Sequence, residues 1–380
     1  MYTPLALAAT AAILVSAQTL NVTNSTSGYT SYSTVTGYFL QDEATTNAST
    51  FDYTATNFGL INSSYPATTG NLTQWQKFEA QVDALNANAP LNTVYKVLFM
   101  GRHGEGYHNA AQTFYGTPAW NCYWGEKDGN ATTTWEDADL TPAGIAQALV
   151  AATFWQHQIT TQLIPYPQSY YTSPLTRCLR TANLTFSALD LPHYYPFVPT
   201  VRELFREGIS IHTCDHRSSR SSIAARFPSY AIDASLTEND EIWNGVTAEP
   251  SDAQDARSKK VLDSVFASDD HAWISITSHS GEIASILRVL GHQVFSLNTG
   301  AVIPVLVKAA FLPSGPAPSS PAYTTSTHCA APPVTSLASL AQGCVCSGTV
   351  VGGITTRIDG NGTSSSSGSV AAYPTAYATS

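Results

Sequence analysis

The run TVYKVLFMG at residues 93–101 limits what this chain can fold into more than any other stretch, because a short unbroken apolar segment marks a strand covered on both faces. Such a strand needs helices on either side of its sheet, and the flanking sequence supplies them. Ahead of it, NLTQWQKFEAQVDALNANAP sets Trp75, Phe78, Val82 and Leu85 at helical spacing. Beyond it, LTPAGIAQALVAATFWQHQI predicts a helix with Thr141 as N-cap, Pro142 at its first position and an apolar face of Ile145, Leu149 and Phe154. A strand followed by a helix recurs in SYYTSPLTRCLRTANLTFSAL and in HAWISITSHSGEIASILRVLG, where Ser280 is expected to cap a helix that ends at Gly291. YYPFVPTVRELFREG adds a short strand, and AVIPVLVKAAF a closing one whose Pro304 points to an edge or a bulge. The alternation predicts an α/β fold with a mainly parallel sheet covered on both faces.

In sheets of this kind ligands gather at the carboxyl ends of the strands. Four separate strand ends here carry His103 with Arg102, Arg177, Glu207 and His279. Residues far apart in the chain are thereby expected at one edge.

Outside this region the sequence changes character. Residues 1–17 join an apolar stretch to small residues at Ser16 and Ala17, the pattern of a cleaved secretory leader. Asn-X-Ser/Thr sequons begin at Asn47, Asn62, Asn71, Asn130 and Asn183, among others, as suits a glycosylated extracellular chain. Residues 18–70, rich in Thr, Ser and Asn, read as a glycosylated extension with one short strand at TGYFLQD. Residues 71–313 read as the folded domain, and the Pro/Ser/Thr-rich residues 314–380 as a disordered tail. A formal net charge of −10 argues against a nucleic acid or an anionic membrane surface as partner, since both need a basic face. Six cysteines in a secreted chain permit three disulfides; Cys178, inside a predicted helix, reads as a small core residue.

The segments RHGEGYHN, SPLTRCLRT, FRE followed by HTCDHR, and TSHSGE, in that order, resemble the histidine phosphatase superfamily, also called the phosphoglycerate mutase-like family. The match runs from about Val94 to Lys308 and looks most like secreted fungal phosphoglycerate mutase-like proteins. It implies a three-layer α/β/α sandwich and phosphomonoester chemistry through a phosphohistidine, with no metal and no cofactor. On the matching positions His103 is implied as the nucleophile, Arg102 and Arg177 as phosphate-binding arginines, His279 as the second histidine and Glu207 as the proton donor.

The chemistry of these side chains is consistent with that pattern. Neutral imidazole attacks phosphorus, and adjacent guanidiniums disfavour its protonation. The same guanidiniums grip phosphoryl oxygens in a planar, bidentate fashion that Lys cannot copy. A carboxyl close to phosphate holds a proton for the leaving alkoxide. Glu203, four residues before Glu207, is an alternative donor. Asn109 and Glu105 fall in the loop expected near the phosphate. His212, Asp215, Arg217 and Arg220 fit either a substrate-selecting lid or a solvated salt-bridged loop. The expected partner is therefore a small phosphorylated molecule, and the expected activity secreted phosphomonoester hydrolysis. Phosphoglycerate mutase-type transfer and a non-catalytic secreted glycoprotein module are the rival readings. A metal hydrolase would need ligand spacing that His103 with His108, or His279 with Glu282, does not provide.

Overall fold

The computed structural model describes residues 28–66, 68, 70–316, 321–326, 328–333 and 346–347. The leader expected over residues 1–17 lies outside them, as does most of the expected tail.

The strands are β1 (Tyr29–Thr34), β2 (Thr93–Arg102), β3 (Ser169–Thr172), β4 (Thr200–Val201), β5 (Ala231–Ile232), β6 (Thr247–Ala248), β7 (Trp273–Ser278), β8 (Val302–Leu312) and β9 (Thr324–Thr325). The α-helices are α1 (Gln74–Ala87), α2 (Tyr107–Tyr115), α3 (Thr117–Cys122), α4 (Pro142–His157), α5 (Thr176–Phe186), α6 (Arg220–Arg226), α7 (Ser251–Ser268) and α8 (Ser280–Val289). Seven strands form one sheet in the order β1-β8-β2-β7-β3-β4-β5, with every pairing from β2 to β5 parallel and only β8 running against its neighbours. The mainly parallel α/β/α sandwich expected from the sequence is thus the observed architecture.

Strand periodicity divides the core in two. Leu98 and Met100 of β2 point with Ile274 and Ile276 of β7 toward α7 and α8. Val97 and Phe99 point the other way, onto Trp75 and Phe78 of α1 and Trp155 of α4. Four features depart from the sequence expectation. The buried face of α4 is Gly144, Ala148, Ala151 and Trp155, while Leu149 is 47% exposed. Small residues let α4 lie close against α5, so the wide apolar side chains fall outside the contact.

The second departure concerns residues 28–66, expected as an extension ahead of the domain. They belong to its sheet and core. β1 pairs antiparallel with β8, and Phe39, Tyr53, Phe58 and Leu60 are buried among Trp75, Phe99 and Trp155. TGYFLQD is not a strand: Phe39 makes an isolated bridge to Leu60, and Asp42 accepts from the Tyr38 and Phe39 N–H groups at the head of a 3₁₀ turn. Third, described parts of the presumed disordered tail are anchored, by pairing of β9 with β6, by the Cys329–Cys346 disulfide and by a Cys329 N–H bond to the Cys122 carbonyl. Cys178 is free and buried, as expected of a core residue, and so is Cys214. The fourth is the cap of α8, described with the site below. Pro304, by contrast, sits where an edge was expected, because the β1 ladder ends at Thr34 opposite Val307 and leaves β8 before that point with β2 alone. No helix among the described residues is long and apolar enough to cross a membrane.

Because Phe58 is fully buried against Trp75, Phe99, Phe154 and Trp155, Phe58→Ala should cost about 3–5 kcal/mol of stability. Urea unfolding would measure it. A loss within about 0.5 kcal/mol, the ordinary range for surface substitutions, would show that the N-terminal segment rests on the domain without holding it together.

Candidate active site

The site is assembled by strand register. In the parallel β2–β7 pair Arg102 stands opposite Ser278, and the ladder continues one step further as the His103 N–H donates to the Ser278 carbonyl at 3.0 Å. The residues that leave the two strands, His103 and His279, therefore emerge side by side, with ring centroids 5.0 Å apart. β3 ends in step, Thr172 opposite Thr277, and delivers Ser173 and then Arg177 in the first turn of α5.

His103 is 2% exposed. Its Nδ1 lies 2.7 Å from the Gly104 carbonyl oxygen, which can only accept. Nδ1 therefore carries the proton and Nε2 holds the free lone pair. Burial, then the positive charges of Arg177 and Arg102, drive the pKa of this ring well below its ordinary value, so it is neutral. The backbone can make this turn because Gly104 lies against the start of α4: a Cβ there would sit 2.3 Å from the Gly144 carbonyl oxygen. Gly144 meets the loop just as closely, its own Cβ position being 2.1 Å from the Glu105 carbonyl oxygen. Thr141 caps α4, accepting from the Gly144 N–H, and donates to the Glu105 carboxylate at 2.7 Å.

Arg177 is buried, with Nε donating to His279 Nδ1 at 3.2 Å, Nη1 to the Cys214 carbonyl at 2.6 Å, and Nη2 3.4 Å from the Asp215 carboxylate. His279 accepts at Nδ1, so its proton is on Nε2, which donates to Ser173 Oγ at 2.7 Å. Burial and then Arg177 push its pKa down as well. Arg102 donates Nη1 to the Leu297 carbonyl at 2.7 Å, while its buried Nε has no partner.

Glu207 caps a helix from another part of the chain. The N-cap of α8 is His279, one residue before the expected Ser280, and its side chain makes no capping bond. Instead the Glu207 carboxylate accepts from the N–H groups of Gly281 at 3.2 Å, Glu282 at 3.1 Å and its neighbour Gly208 at 3.0 Å. A carboxylate at a helix N-terminus satisfies donors that the helix cannot. Burial, then the charge of Asp215, nevertheless raise its pKa above the usual carboxylate range, outweighing these bonds. The residue keeps part of its surface exposed.

Glu203 has a different task. Its two oxygens accept from Arg206 at 2.9 Å and Arg217 at 2.7 Å. Arg206 also grips Asp240 with both terminal nitrogens and donates to the Asp215 carbonyl. Burial works to raise the Asp240 carboxyl, yet Arg206 draws it down to about 2. Arg217 goes on to the carbonyls of Thr237 and Asn239, and Arg220 to those of Asp233 and Leu236. Of the two readings for this loop, the geometry is nearer the salt-bridged one, but the bridges are buried where solvated ones were expected. Asp215, paired with Arg177, ties that network to the site.

Asn109 accepts from the Gly106 N–H at 3.0 Å, so its carbonyl oxygen secures the turn into α2. His212, Cys214 and Asp215 bring ligand atoms within 4.8 Å of one another. Arg177 competes there for the Asp215 carboxylate, and burial followed by the Asp215 charge holds the Cys214 thiol neutral. Sequence reasoning found the five strand-end residues that converge here, but it weighed His108 only as a metal ligand. That ring is buried with its centroid 5.4 Å from the His103 ring. The HN pair closing RHGEGYHN was the available signal.

Residues 124–298 match the histidine phosphatase superfamily (branch 1); the RHG segment lies just ahead of the matched stretch. Over 283 residues the chain is 49% identical to a probable phosphoglycerate mutase of Arthroderma benhamiae, covering 73% of this chain and 84% of that protein. It is 34% identical over 277 residues to phosphomutase-like protein 3 of Candida albicans, covering 73% and 79%. A probable phosphoglycerate mutase of Saccharomyces cerevisiae is 32% identical over 235 residues, covering 57% and 80%. Among solved structures, a mycobacterial glucosyl-3-phosphoglycerate phosphatase is 18% identical and covers 58% of this chain and all of its own, at a TM-score of 0.33.

The buried Glu203 network predicts that Glu203→Gln, which leaves Arg206 its Asp240 partner but takes from the buried Arg217 its carboxylate, costs about 3–5 kcal/mol in urea unfolding. A variant as stable as the parent would mean that Glu203 is not the keystone of that network.

Proposed function

We propose that this chain, which belongs to the histidine phosphatase superfamily and within it to the phosphoglycerate mutase-like proteins, hydrolyses a small phosphate monoester through a phosphohistidine on His103. The observation that carries the reading is the His103 ring: neutral, anchored at Nδ1, with Nε2 open and subject to the charges of the buried Arg177 and the half-buried Arg102.

Nε2 of His103 attacks phosphorus as the ester P–O bond breaks. The phosphoryl oxygens share their charge with Arg102 and Arg177, preorganised donors of the kind that contributes most to such reactions. Both nitrogens of His279 are engaged, with Arg177 and Ser173, so in this arrangement it holds Arg177 in place. The departing alkoxide takes its proton from Glu207, whose raised pKa suits it to hold one. Water then attacks the phosphohistidine, Glu207 takes a proton from that water, and orthophosphate leaves. None of these steps requires a metal. Glu203, with each oxygen on an arginine, has no comparable freedom to exchange a proton.

Secretion belongs to the same proposal. The leader-like residues 1–17 support it, and so do exposed sequon asparagines at 47, 62, 71 and 183. Outside a cell a released bisphosphorylated intermediate would be diluted and water would compete for the phosphohistidine, which favours hydrolysis. Because two relatives carry the name probable phosphoglycerate mutase, mutase-type transfer is the second reading. With 3-phosphoglycerate as substrate, hydrolysis gives glycerate and orthophosphate, whereas transfer gives 2-phosphoglycerate.

The purified protein should release phosphate from p-nitrophenyl phosphate in EDTA, and His103→Ala should abolish the release. Full activity in that variant would sink the phosphohistidine. Glu207→Gln should lower kcat/KM, which reads the phosphorylation step, by about 10²–10⁴ for alkyl phosphates and far less for nitrophenyl phosphate, since nitrophenolate leaves without a proton; an equal fall in kcat/KM for both would count against Glu207 as donor.

The pH profile follows in sign. His103, with its lowered pKa, stays neutral below its ordinary range, while Glu207 loses its proton as pH climbs through its raised value. With alkyl phosphates kcat/KM should therefore peak on the acid side and fall as pH rises. A profile that rises to alkaline pH would contradict the assignment.

A further inference from the structure

Of the three histidines gathered at the strand ends, His108 is the one whose nitrogens are unspent. It is the second residue of α2 and 8% exposed. Its Nδ1 is sealed from solvent without a hydrogen-bond partner, and no hydrogen bond among the described residues reaches its Nε2. His103, in contrast, is anchored through Nδ1, and His279 is engaged through both ring nitrogens.

A sealed imidazole nitrogen without a partner lowers stability, and folded proteins leave few such groups without a reason. The chain makes specific room for this one. Gly106 receives the ring edge, and a Cβ at Gly106 would lie 2.6 Å from His108 Nδ1. The edge that meets Gly106 is Nδ1–Cε1, and Nε2, next along the ring from Cε1, is not among the atoms sealed from solvent. Arg102, whose charge acts on this ring, carries a second orphan at its Nε. The free Nε2 of His108, its ring centroid 5.4 Å from that of His103, and the unpartnered Nε–H of Arg102 are the donors left near the open nucleophile for an oxyanion.

We propose that His108 is a substrate-contacting residue whose Nε2–H donates to an oxygen of the transferring phosphoryl group, beside Arg102 and Arg177. Putting the proton on Nε2 leaves only a lone pair, not an N–H, facing Gly106. After burial, the positive charges of Arg177 and Arg102 lower the pKa of this ring, so it serves as a neutral donor. The proposal rests on the phosphomonoester reading above and adds a residue to it.

The test combines titration calorimetry with orthovanadate, turnover of p-nitrophenyl phosphate and thermal unfolding, on the parent protein, His108→Phe and His108→Gln. Phe keeps the ring volume without a donor, whereas Gln brings an amide N–H close to the Nε2 position. His108→Phe should weaken vanadate binding and kcat/KM by about 10- to 100-fold, and His108→Gln should recover most of both. The melting temperature of His108→Phe should match or exceed the parent's, because an unsatisfied polar group has been removed. Vanadate affinity within about twofold of the parent overturns the proposal. A fall in melting temperature in both variants, with activity lost in proportion, overturns it too and makes His108 a packing residue. The readouts separate the two claims: a parent protein that binds vanadate yet hydrolyses no phosphoester refutes the hydrolase reading, while the affinity ratio still decides the role of His108. A parent that binds no vanadate refutes both.

Discussion

The hydrogen bond from the His103 N–H to the Ser278 carbonyl is the joint on which the rest of the structure turns. It extends the parallel register of β2 and β7 one residue past the strands. A parallel pair fixes not only which residues lie opposite each other but also that both chains leave the sheet at the same edge and in the same direction. His103 and His279 are neighbours for that reason, although more than 170 positions separate them in the chain. Slipping one of these strands by one residue would turn its side chains to the opposite face and part the two histidines.

Around this joint the fold concentrates positive charge and must hold it without losing it to neighbouring carboxylates. Arg177 is buried, and its bonds go to a carbonyl, to a neutral imidazole and, at a longer 3.4 Å, to Asp215. The stronger carboxylates are spent elsewhere: Glu203 and Asp240 on Arg206 and Arg217, and Glu249 and Glu282 on Arg257. Buried ion pairs seldom add net stability over apolar packing, but removing one partner is costly. Here they pin the 203–240 segment and so hold Asp215 behind Arg177. Glu207 is the acid left out of this pairing. It takes up backbone N–H groups at the start of α8 instead, which places a carboxyl beside the histidines without neutralising an arginine.

How much could be read in advance differs by the range of the interaction involved. Arg102, His103, Arg177 and His279 were legible because each follows a strand in an uninterrupted local pattern. The choice between Glu203 and Glu207 was not: the two lie four residues apart, and only their partners, Arg217 from a later loop and the α8 N-terminus, separate their tasks. His108 was passed over for a similar reason, since an unspent nitrogen is visible only once every neighbour has been placed. The N-terminal segment was misjudged because Phe39, Tyr53 and Phe58 are isolated among polar residues with no period. They join the core through contacts with Trp75, Phe99 and Trp155, far along the chain. On α4 the bulky residues suggested one face, and the small residues that allow a close helix contact selected another.

The sequence by itself determined the α/β alternation, the parallel character of the sheet and the set of side chains carried to its edge, since periodicity, strand-end position and residue type are local properties. Tertiary structure alone decided which histidine nitrogens are engaged and which are left free, which glutamate has no arginine on its oxygens, and that residues 28–66 belong to the domain. Those outcomes depend on who stands next to whom across long loops. Protonation, burial and hydrogen-bond satisfaction belong to a neighbourhood, and the neighbourhood exists only after the chain has folded.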